Sequence, residues 1–269
     1  MINTFSHIVS LPVLFLNEVY LFGIMYWHYK WNYLTNTFNT AADFIFWMLL
    51  MDGGTIVPEK IAPLVVGYLI WAYANYFIYD ANSFIIDSSQ TGILEQVYLS
   101  PTPFYFKLIS RFFAGMIFCS VELALVISAL LIWLPLKIPL SIGAFITFFI
   151  TLIGIAGFAL MLAGFGLIFK KSGPFAYLIN NILLFLNGSI LPLERMPLWV
   201  QMVSKTLPTT QGISVLRALI FNNQTLLEVL RDGSLALLFI NSLFYLAIGC
   251  IIFKQCEKWA QRTGTLSHY

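Results

Sequence analysis

The chain has 269 residues, of which 59% are hydrophobic and 10% charged, and its formal net charge is +2. Soluble domains usually have about 45–50% apolar and about 25% charged residues, so a soluble chain of this composition could not cover its surface with polar groups. The composition therefore predicts an all-α integral membrane protein, with a single transmembrane domain over residues 1–269. The small net charge gives no reason to expect a nucleic acid as a partner, and the expected partner is the lipid bilayer.

The first predicted element is an amphipathic helix over residues 1–32. Apolar and polar side chains are mixed along it, and it ends in an aromatic cluster that includes Trp27, Tyr29 and Trp31 beside Lys30. Aromatic rings and lysine are favoured at the boundary between lipid and water, so this helix is expected to lie in the membrane interface.

Six transmembrane helices are predicted after it. The spans are residues 34–51, 61–79, 112–134, 138–169, 175–191 and 233–253. Three other segments are predicted to lie outside them: a polar cytoplasmic segment 80–107, an external segment 192–232 and a cytoplasmic tail 254–269. Segment 192–232 contains apolar stretches too short to cross a bilayer, which predicts a re-entrant hairpin between helices 5 and 6.

The orientation follows from the basic residues of the short connections. In this topology Lys30, Lys107, Lys170, Lys171 and the basic residues of the tail fall on one side. Because cytoplasmic loops are enriched in lysine and arginine, both termini are expected in the cytoplasm. We expect a multi-pass protein of a cell membrane, the plasma or inner membrane of a bacterium.

The sequence contains no motif for catalysis or for nucleotide binding. The nearest approach to a phosphate-binding loop, Gly166 to Ser172, has Lys170 and Phe165 where the loop needs glycine. No zinc-protease or nucleophile-elbow motif occurs, and His7, His28 and His268 are dispersed. We therefore expect no catalytic residue, no metal site and no cofactor in this chain, which predicts a protein that is not itself an enzyme.

Two acidic residues fall within predicted spans. They are Asp43 and Glu122. An ionised carboxylate in the bilayer is costly, so such residues are functional candidates. The alternative is a structural role, in an ion pair or a hydrogen bond to a neighbouring helix.

An aromatic and amide stripe is predicted on two spans. Tyr68, Trp71, Asn75 and Tyr79 share one face of helix 2. Helix 5 carries Tyr177, Asn180, Asn181 and Asn187. These amides need partners inside the protein or a wet cavity, so the stripe suits a substrate pathway for amphipathic molecules. Ordinary helix packing is the alternative.

Two segments resemble one family. Segment 92–101, GILEQVYLSP, looks like the cytoplasmic coupling helix of ABC transporter permeases of the type-2 exporter class. Residues 187–199, NGSILPLERMPLW, with Leu207-Pro208 and residues 212–219, are similar to that family's end of helix 5 and external hairpin. Together with six spans and an interfacial helix, the resemblance covers nearly the whole chain.

The resemblance implies a permease subunit of an ATP-driven exporter. The permease would be a homodimer, or a pair with a similar permease, bound to two copies of a separate ATPase that holds ATP and Mg. The implied ATPase-coupling residues are Gly92, Leu94, Glu95, Gln96, Ser100 and Pro101. Acidic Glu95 resembles the exporters of drugs, lipids or peptides, which implies a hydrophobic or amphipathic substrate.

A self-powered secondary transporter or channel that uses Asp43 and Glu122 is the alternative. It would predict inverted repeats or broken helices in matching halves, and the sequence has no convincing repeat. A membrane-embedded enzyme is a third hypothesis, but it would need a cluster of catalytic groups.

Overall fold

The computed structural model describes residues 2–51, 58–92, 104–133, 139, 141–169, 173–222 and 224–263, and the regular secondary structure of these ranges is helical. The helices are α1 Ile2–His28, α2 Lys30–Met51, α3 Pro58–Gln90, α4 Phe104–Trp133, α5 Ile142–Ile168, α6 Gly173–Leu186, α7 Leu198–Thr206, α8 Pro208–Phe221, α9 Leu226–Arg231 and α10 Ser234–Thr263, with a 3₁₀ turn at Leu193–Arg195.

Within the described ranges, four helices are long and apolar enough to cross a membrane. The apolar segments are Ile61–Gln90 in α3, Phe106–Trp133 in α4, Ile142–Ile168 in α5 and Ser234–Thr263 in α10. This supports the prediction of an α-helical membrane protein. Helix α2 is not one of the four, and α6 is apolar but only 14 residues long. Six spans and a re-entrant hairpin therefore remain predictions.

The predicted interfacial segment is divided between two helices. Helix α1 ends at His28, and α2 begins at Lys30 after a single turn residue. Helix α1 packs along α4, where the rings of Phe22 and Tyr26 stack on Phe118 with centroids 5.8 and 4.6 Å apart. Trp27 and Trp31 remain 75% and 73% exposed.

Helices α3 and α4 form an antiparallel pair that extends beyond the predicted spans. Tyr73 bonds to Ser120, and the Phe77 ring stacks on Phe112, so residue numbers rise along α3 as they fall along α4. The second span was predicted to end at Tyr79, but α3 continues to Gln90. Much of the predicted segment 80–107 is thus helical, and its residues 93–103 lie outside the described part of the chain.

The charge-free stretch from 138 to 169 contains one long helix, α5, which runs from Ile142 to Ile168 and packs against α3, α8 and α10. Ser141 caps its start, where its hydroxyl oxygen accepts a hydrogen bond of 3.1 Å from the amide of Ala144. Its glycines permit close contact with α10: a Cβ on Gly249 would overlap the carbonyl oxygen of Gly157. Because no side chain separates the two helices there, α5 and α10 meet backbone to backbone.

The predicted external segment 192–232 contains three short helices. The nine residues that α8 buries include Pro208, Ile213 and Leu216. Helix α9 begins with a capping box, in which the Thr225 hydroxyl and the Glu228 carboxylate each accept a hydrogen bond from the other residue's amide. Helix α10 then continues beyond Phe253 to Thr263, through most of the segment predicted as a tail.

Candidate functional site

The predicted stripe brings α3 and α6 together within a single chain. The Trp71 indole donates a hydrogen bond of 3.2 Å to the Asn180 carbonyl. The Asn180 side-chain amide donates one of 2.6 Å to the Asn75 side-chain oxygen. Tyr68 lies against Trp71, with ring centroids 5.1 Å apart, and its hydroxyl donates to the Thr40 carbonyl of α2 at 3.1 Å. Trp71, Asn75 and Asn180 thus join α3 to α6 by hydrogen bonds, while the side-chain oxygen of Asn180 has no hydrogen-bond partner.

The other four residues of the stripe are not part of this contact. Tyr79 and Tyr177 are each 70% exposed, and Asn181 is half-buried. Asn187 is fully buried in the turn after α6, where its side-chain oxygen accepts a hydrogen bond of 3.0 Å from the amide of Ser189. Its side-chain nitrogen has no hydrogen-bond partner.

A narrow apolar pocket adjoins the stripe between α2, α3 and the turn that follows α6. The residues that line it are Phe44, Trp47, Met48, Leu64, Tyr68, Ser189 and Ile190. Tyr68 thus belongs both to the stripe and to the pocket wall.

Arg217 connects α8 to α3 and to the turn after α6 by hydrogen bonds. Its guanidinium donates to the carbonyls of Pro63, Gly188 and Ser189 at 3.0, 2.9 and 3.1 Å. Burial lowers the pKa of Arg217 to about 10, and the charge of Glu194 opposes that shift. From the sequence, Arg217 is only part of a segment that resembles a known family; its role could not be predicted, because its three carbonyl partners are distant in the chain.

The two predicted intramembrane acids have different environments. Asp43 is exposed on α2. Glu122 of α4 is 7% exposed, and its carboxylate accepts a hydrogen bond of 2.7 Å from the side-chain amide of Asn36 on α2. Glu122 therefore has the hydrogen bond to a neighbouring helix that a structural role requires.

A buried ion pair that the sequence analysis missed joins α3 to α4. Arg111 donates to both carboxylate oxygens of Asp80, at 2.7 and 2.8 Å. The guanidinium also lies over the rings of Phe22 and Phe84, 4.8 and 4.5 Å from their centroids. Asp80 lies in the segment predicted as a polar connection, and Arg111 lies just before the predicted third span. The antiparallel register of α3 and α4 brings them together.

A third charged residue lies beside this pair. Glu18 of α1 is 3% exposed. Burial raises the pKa of Glu18, while the charges of Arg111 and Lys107 oppose that shift. The ion pair thus sits where α1, α3 and α4 meet.

The predicted ATPase-coupling residues lie almost entirely outside the described ranges. Gly92 is described: it is exposed, with a φ of +70° at the end of α3. Glycine adopts this left-handed conformation without strain, which suits the termination of a helix. Leu94, Glu95, Gln96, Ser100 and Pro101 lie outside the described residues.

Comparison with family models and with curated proteins finds no match to this chain. In the described ranges, no group of three or more histidine, cysteine, aspartate or glutamate side chains is arranged to hold a metal ion.

Proposed function

We propose that this chain is the membrane-spanning permease subunit of an ATP-driven ABC exporter. It would move a hydrophobic or amphipathic substrate, of drug, lipid or peptide type, out of the cell. A separate ATPase subunit would hold ATP and Mg and supply the energy.

The observation that carries the proposal is the length of α3 and its attachment to α4. Helix α3 has 33 residues. At 1.5 Å per residue it is about 50 Å long, whereas the hydrocarbon core of a bilayer is about 30 Å thick. The end of α3 that leads to segment 93–103 can therefore project from the membrane. Because the buried Asp80–Arg111 pair joins α3 to α4 near that end, a force on the connection would be passed to both helices.

The proposed ATPase contact is the segment from Gly92 to Pro101. Its acidic residue, Glu95, would pair with a basic group of the ATPase. Closure of the ATPase dimer on ATP would then push the segment, and α3 and α4 would move with it. This requires segment 93–103 on the cytoplasmic side, with both termini on the same side.

The proposed assembly contains two permease chains and two ATPase chains. The antiparallel register of α3 and α6, given by the Asn75–Asn180 bond, places Tyr79 level with Tyr177. Both tyrosines are exposed in the single chain, so a second copy could cover them. The substrate path would then run along this face, between α3 and α6 of the two copies.

The test is ATP-driven transport by the purified permease–ATPase complex in lipid vesicles. The variant Glu95→Lys should keep permease expression but lower ATP hydrolysis and transport of a fluorescent amphipathic probe at least tenfold. Gly92→Pro should also uncouple the complex, because proline cannot adopt the positive φ of Gly92 just after the end of α3. The control is Asp232→Lys, which also reverses an acidic charge, at an exposed position in the predicted external segment.

Equal effects of Glu95→Lys and Asp232→Lys would contradict the proposed contact. If transport needs a proton gradient, proceeds without any ATPase and is abolished by Glu122→Gln, the secondary-transporter alternative is correct instead.

A further inference from the structure

Buried polar atoms without hydrogen-bond partners are concentrated at one place in the fold. Eight such side-chain atoms occur in the described residues. Five of them belong to the end of α7, the first turn of α8 and the facing part of α10: Ser204 Oγ, Thr209 Oγ1, Thr210 Oγ1, Gln211 Oε1 and Ser242 Oγ. A buried polar atom that lacks a partner is energetically unfavourable, so a cluster of five points to an occupant that supplies the missing bonds.

The cluster surrounds an uncapped helix start. Helix α8 has 14 residues and begins with Pro208, and the residue before it, Leu207, provides no side-chain cap. The first amides of a helix have no partner within the helix, and they form the positive end of its dipole. The backbone amides of Thr209 and Thr210 therefore add donors beside the two unpartnered hydroxyls of the same residues.

Contacts between the helices show that Ser242 belongs to the same place. A Cβ built on Gly154 of α5 would lie 2.5 Å from the Pro208 Cβ and 2.9 Å from the Ser242 hydroxyl oxygen. The neighbouring Asn241 donates a hydrogen bond of 2.9 Å to the Thr206 carbonyl at the end of α7. Ser242 is 1% exposed and Thr210 is 2% exposed, so both hydroxyls are held at the start of α8 away from solvent.

The charges of the surrounding helices favour an anion. Helices α5, α7 and α8 contain no aspartate or glutamate, and the first acidic residue of α10 is Glu257, far along that helix. The charged residues of α7 and α8 are Lys205 and Arg217, both cationic. A carboxylate or phosphate oxygen would therefore meet helix amides and hydroxyls without repulsion from an acidic side chain on these helices.

The exposed apolar side chains on the outer face of α7 indicate that the anionic group carries an apolar chain. Leu198, Trp199 and Met202 are 74%, 69% and 70% exposed. An alkyl chain could lie along this apolar surface while its head reaches the start of α8 next to Thr206.

We infer that the start of α8, with the hydroxyls of Thr209, Thr210 and Ser242, is a binding site for the anionic head of an amphipathic molecule. The oxygens of a carboxylate or phosphate accept hydrogen bonds from the amides and hydroxyls, and the apolar tail packs on α7. Binding itself does not depend on the proposed export function, but the identification of this molecule as a transported substrate does rest on it.

The test compares three ligands with the same alkyl chain. Thermal unfolding of the purified chain in a non-ionic detergent is titrated with dodecanoate, dodecanol and dodecyltrimethylammonium. Dodecanoate should raise the unfolding temperature in a saturable manner, whereas the neutral and cationic ligands should not. Acetate tests the contribution of the tail and should bind far more weakly than dodecanoate.

Two substitutions that each remove one hydroxyl group test the residues. Thr210→Val and Ser242→Ala should each weaken dodecanoate binding about tenfold, because each removes a hydrogen bond to a charged group. Without ligand, both variants should unfold at the same temperature as the unmodified chain or a higher one, since an unpartnered hydroxyl is replaced by an apolar group. Thr35→Val and Ser128→Ala are the controls, because these hydroxyls lie on exposed helix surfaces and bond to their own helices.

The inference is wrong if dodecanoate binds no better than dodecanol, if acetate matches it, or if Thr210→Val and Ser242→Ala bind it as the controls do. Lower ligand-free stability of both variants would also contradict it, since the hydroxyls would then have partners already. Selective dodecanoate binding without any ATP-driven transport would uphold the site and refute the exporter function.

Discussion

Arg111 and Asp80 form a two-point ion pair in which Nε donates to Oδ2 at 2.7 Å and Nη2 donates to Oδ1 at 2.8 Å. The side chains are 13% and 10% exposed, and the pair lies in the last third of α3. This geometry uses the planar fork of arginine, so lysine could not replace it with equal effect.

Neutralisation of one partner should strongly destabilise the protein. Asp80→Asn leaves the Arg111 charge buried without its hydrogen-bonded carboxylate, and loss of one member of a buried pair typically costs about 3–5 kcal/mol. The double variant Asp80→Asn with Arg111→Gln should lose less than the sum of the two single changes. Thermal unfolding in detergent measures both effects, and Asp87→Asn, an exposed acid on the same helix, is the control. Additive losses would mean that the two side chains do not interact.

Replacement of Arg217 by lysine should weaken the attachment of α8 to α3 and to the turn after α6. A lysine places its three donors on a single nitrogen, so it cannot reach carbonyls that Nε, Nη1 and Nη2 contact separately. Arg217→Lys should lower the free energy of unfolding by about 1–3 kcal/mol and increase the protease sensitivity of the segment around α8. Arg231→Lys, at the exposed end of α9, should have almost no effect. If both variants behave alike, the three carbonyl bonds contribute little.

The contact between α5 and α10 should tolerate no side chain at Gly249. A methyl group there would overlap the Gly157 carbonyl oxygen, and such overpacking typically costs about 1–3 kcal/mol. Gly249→Ala should therefore lower the unfolding temperature. Gly23→Ala should keep or raise it, because the nearest atom to its new Cβ is 3.8 Å away and alanine favours a helix. A stable Gly249→Ala protein would show that the two helices separate easily.

Cysteine crosslinking should distinguish contacts within a chain from contacts between chains. In a background without Cys119, Cys250 and Cys256, a short bifunctional reagent should join Asn75→Cys to Asn180→Cys within one chain, because their side chains are hydrogen-bonded there. Denaturing electrophoresis should show a monomer-sized product. The exposed variant Tyr177→Cys is the comparison, and the proposed dimer predicts a dimer-sized product from it. Dimers from the Asn75–Asn180 pair instead would contradict the packing of α3 on α6.

The helical nature of the chain and much of its order along the sequence could be predicted, because apolar runs and helical periodicity are local properties. The shared face of Tyr68, Trp71 and Asn75 is an example: all three do lie in the contact with neighbouring helices. Tyr79 belongs to the same predicted face but is exposed, because periodicity does not show where the neighbouring helix ends its contact.

The contacts that could not be predicted join residues that are far apart in the sequence. Asp80 was interpreted as the polar end of a span, since a lone aspartate next to lipid is costly. In the fold Asp80 pairs with Arg111 on the next helix, and α3 continues to Gln90. The unpartnered hydroxyls around the start of α8 could not be predicted from the sequence either, because serine and threonine in an apolar run usually bond to their own helix.

The length of α3 has a mechanical consequence. A rigid helix converts a small rotation at one end into a larger translation at the other. With a length of about 50 Å, a rotation of about 5° around the start of α3 displaces its far end by about 4 Å. The Arg217 bond to the Pro63 carbonyl holds the helix near its start, and Gln90 is its last residue. Conversely, a displacement of a few ångströms near Gln90 would rotate the Tyr68–Asn75 section of α3 by only a small angle. Such an angle is too small to break the side-chain packing of this section, so the section could tilt as an intact unit.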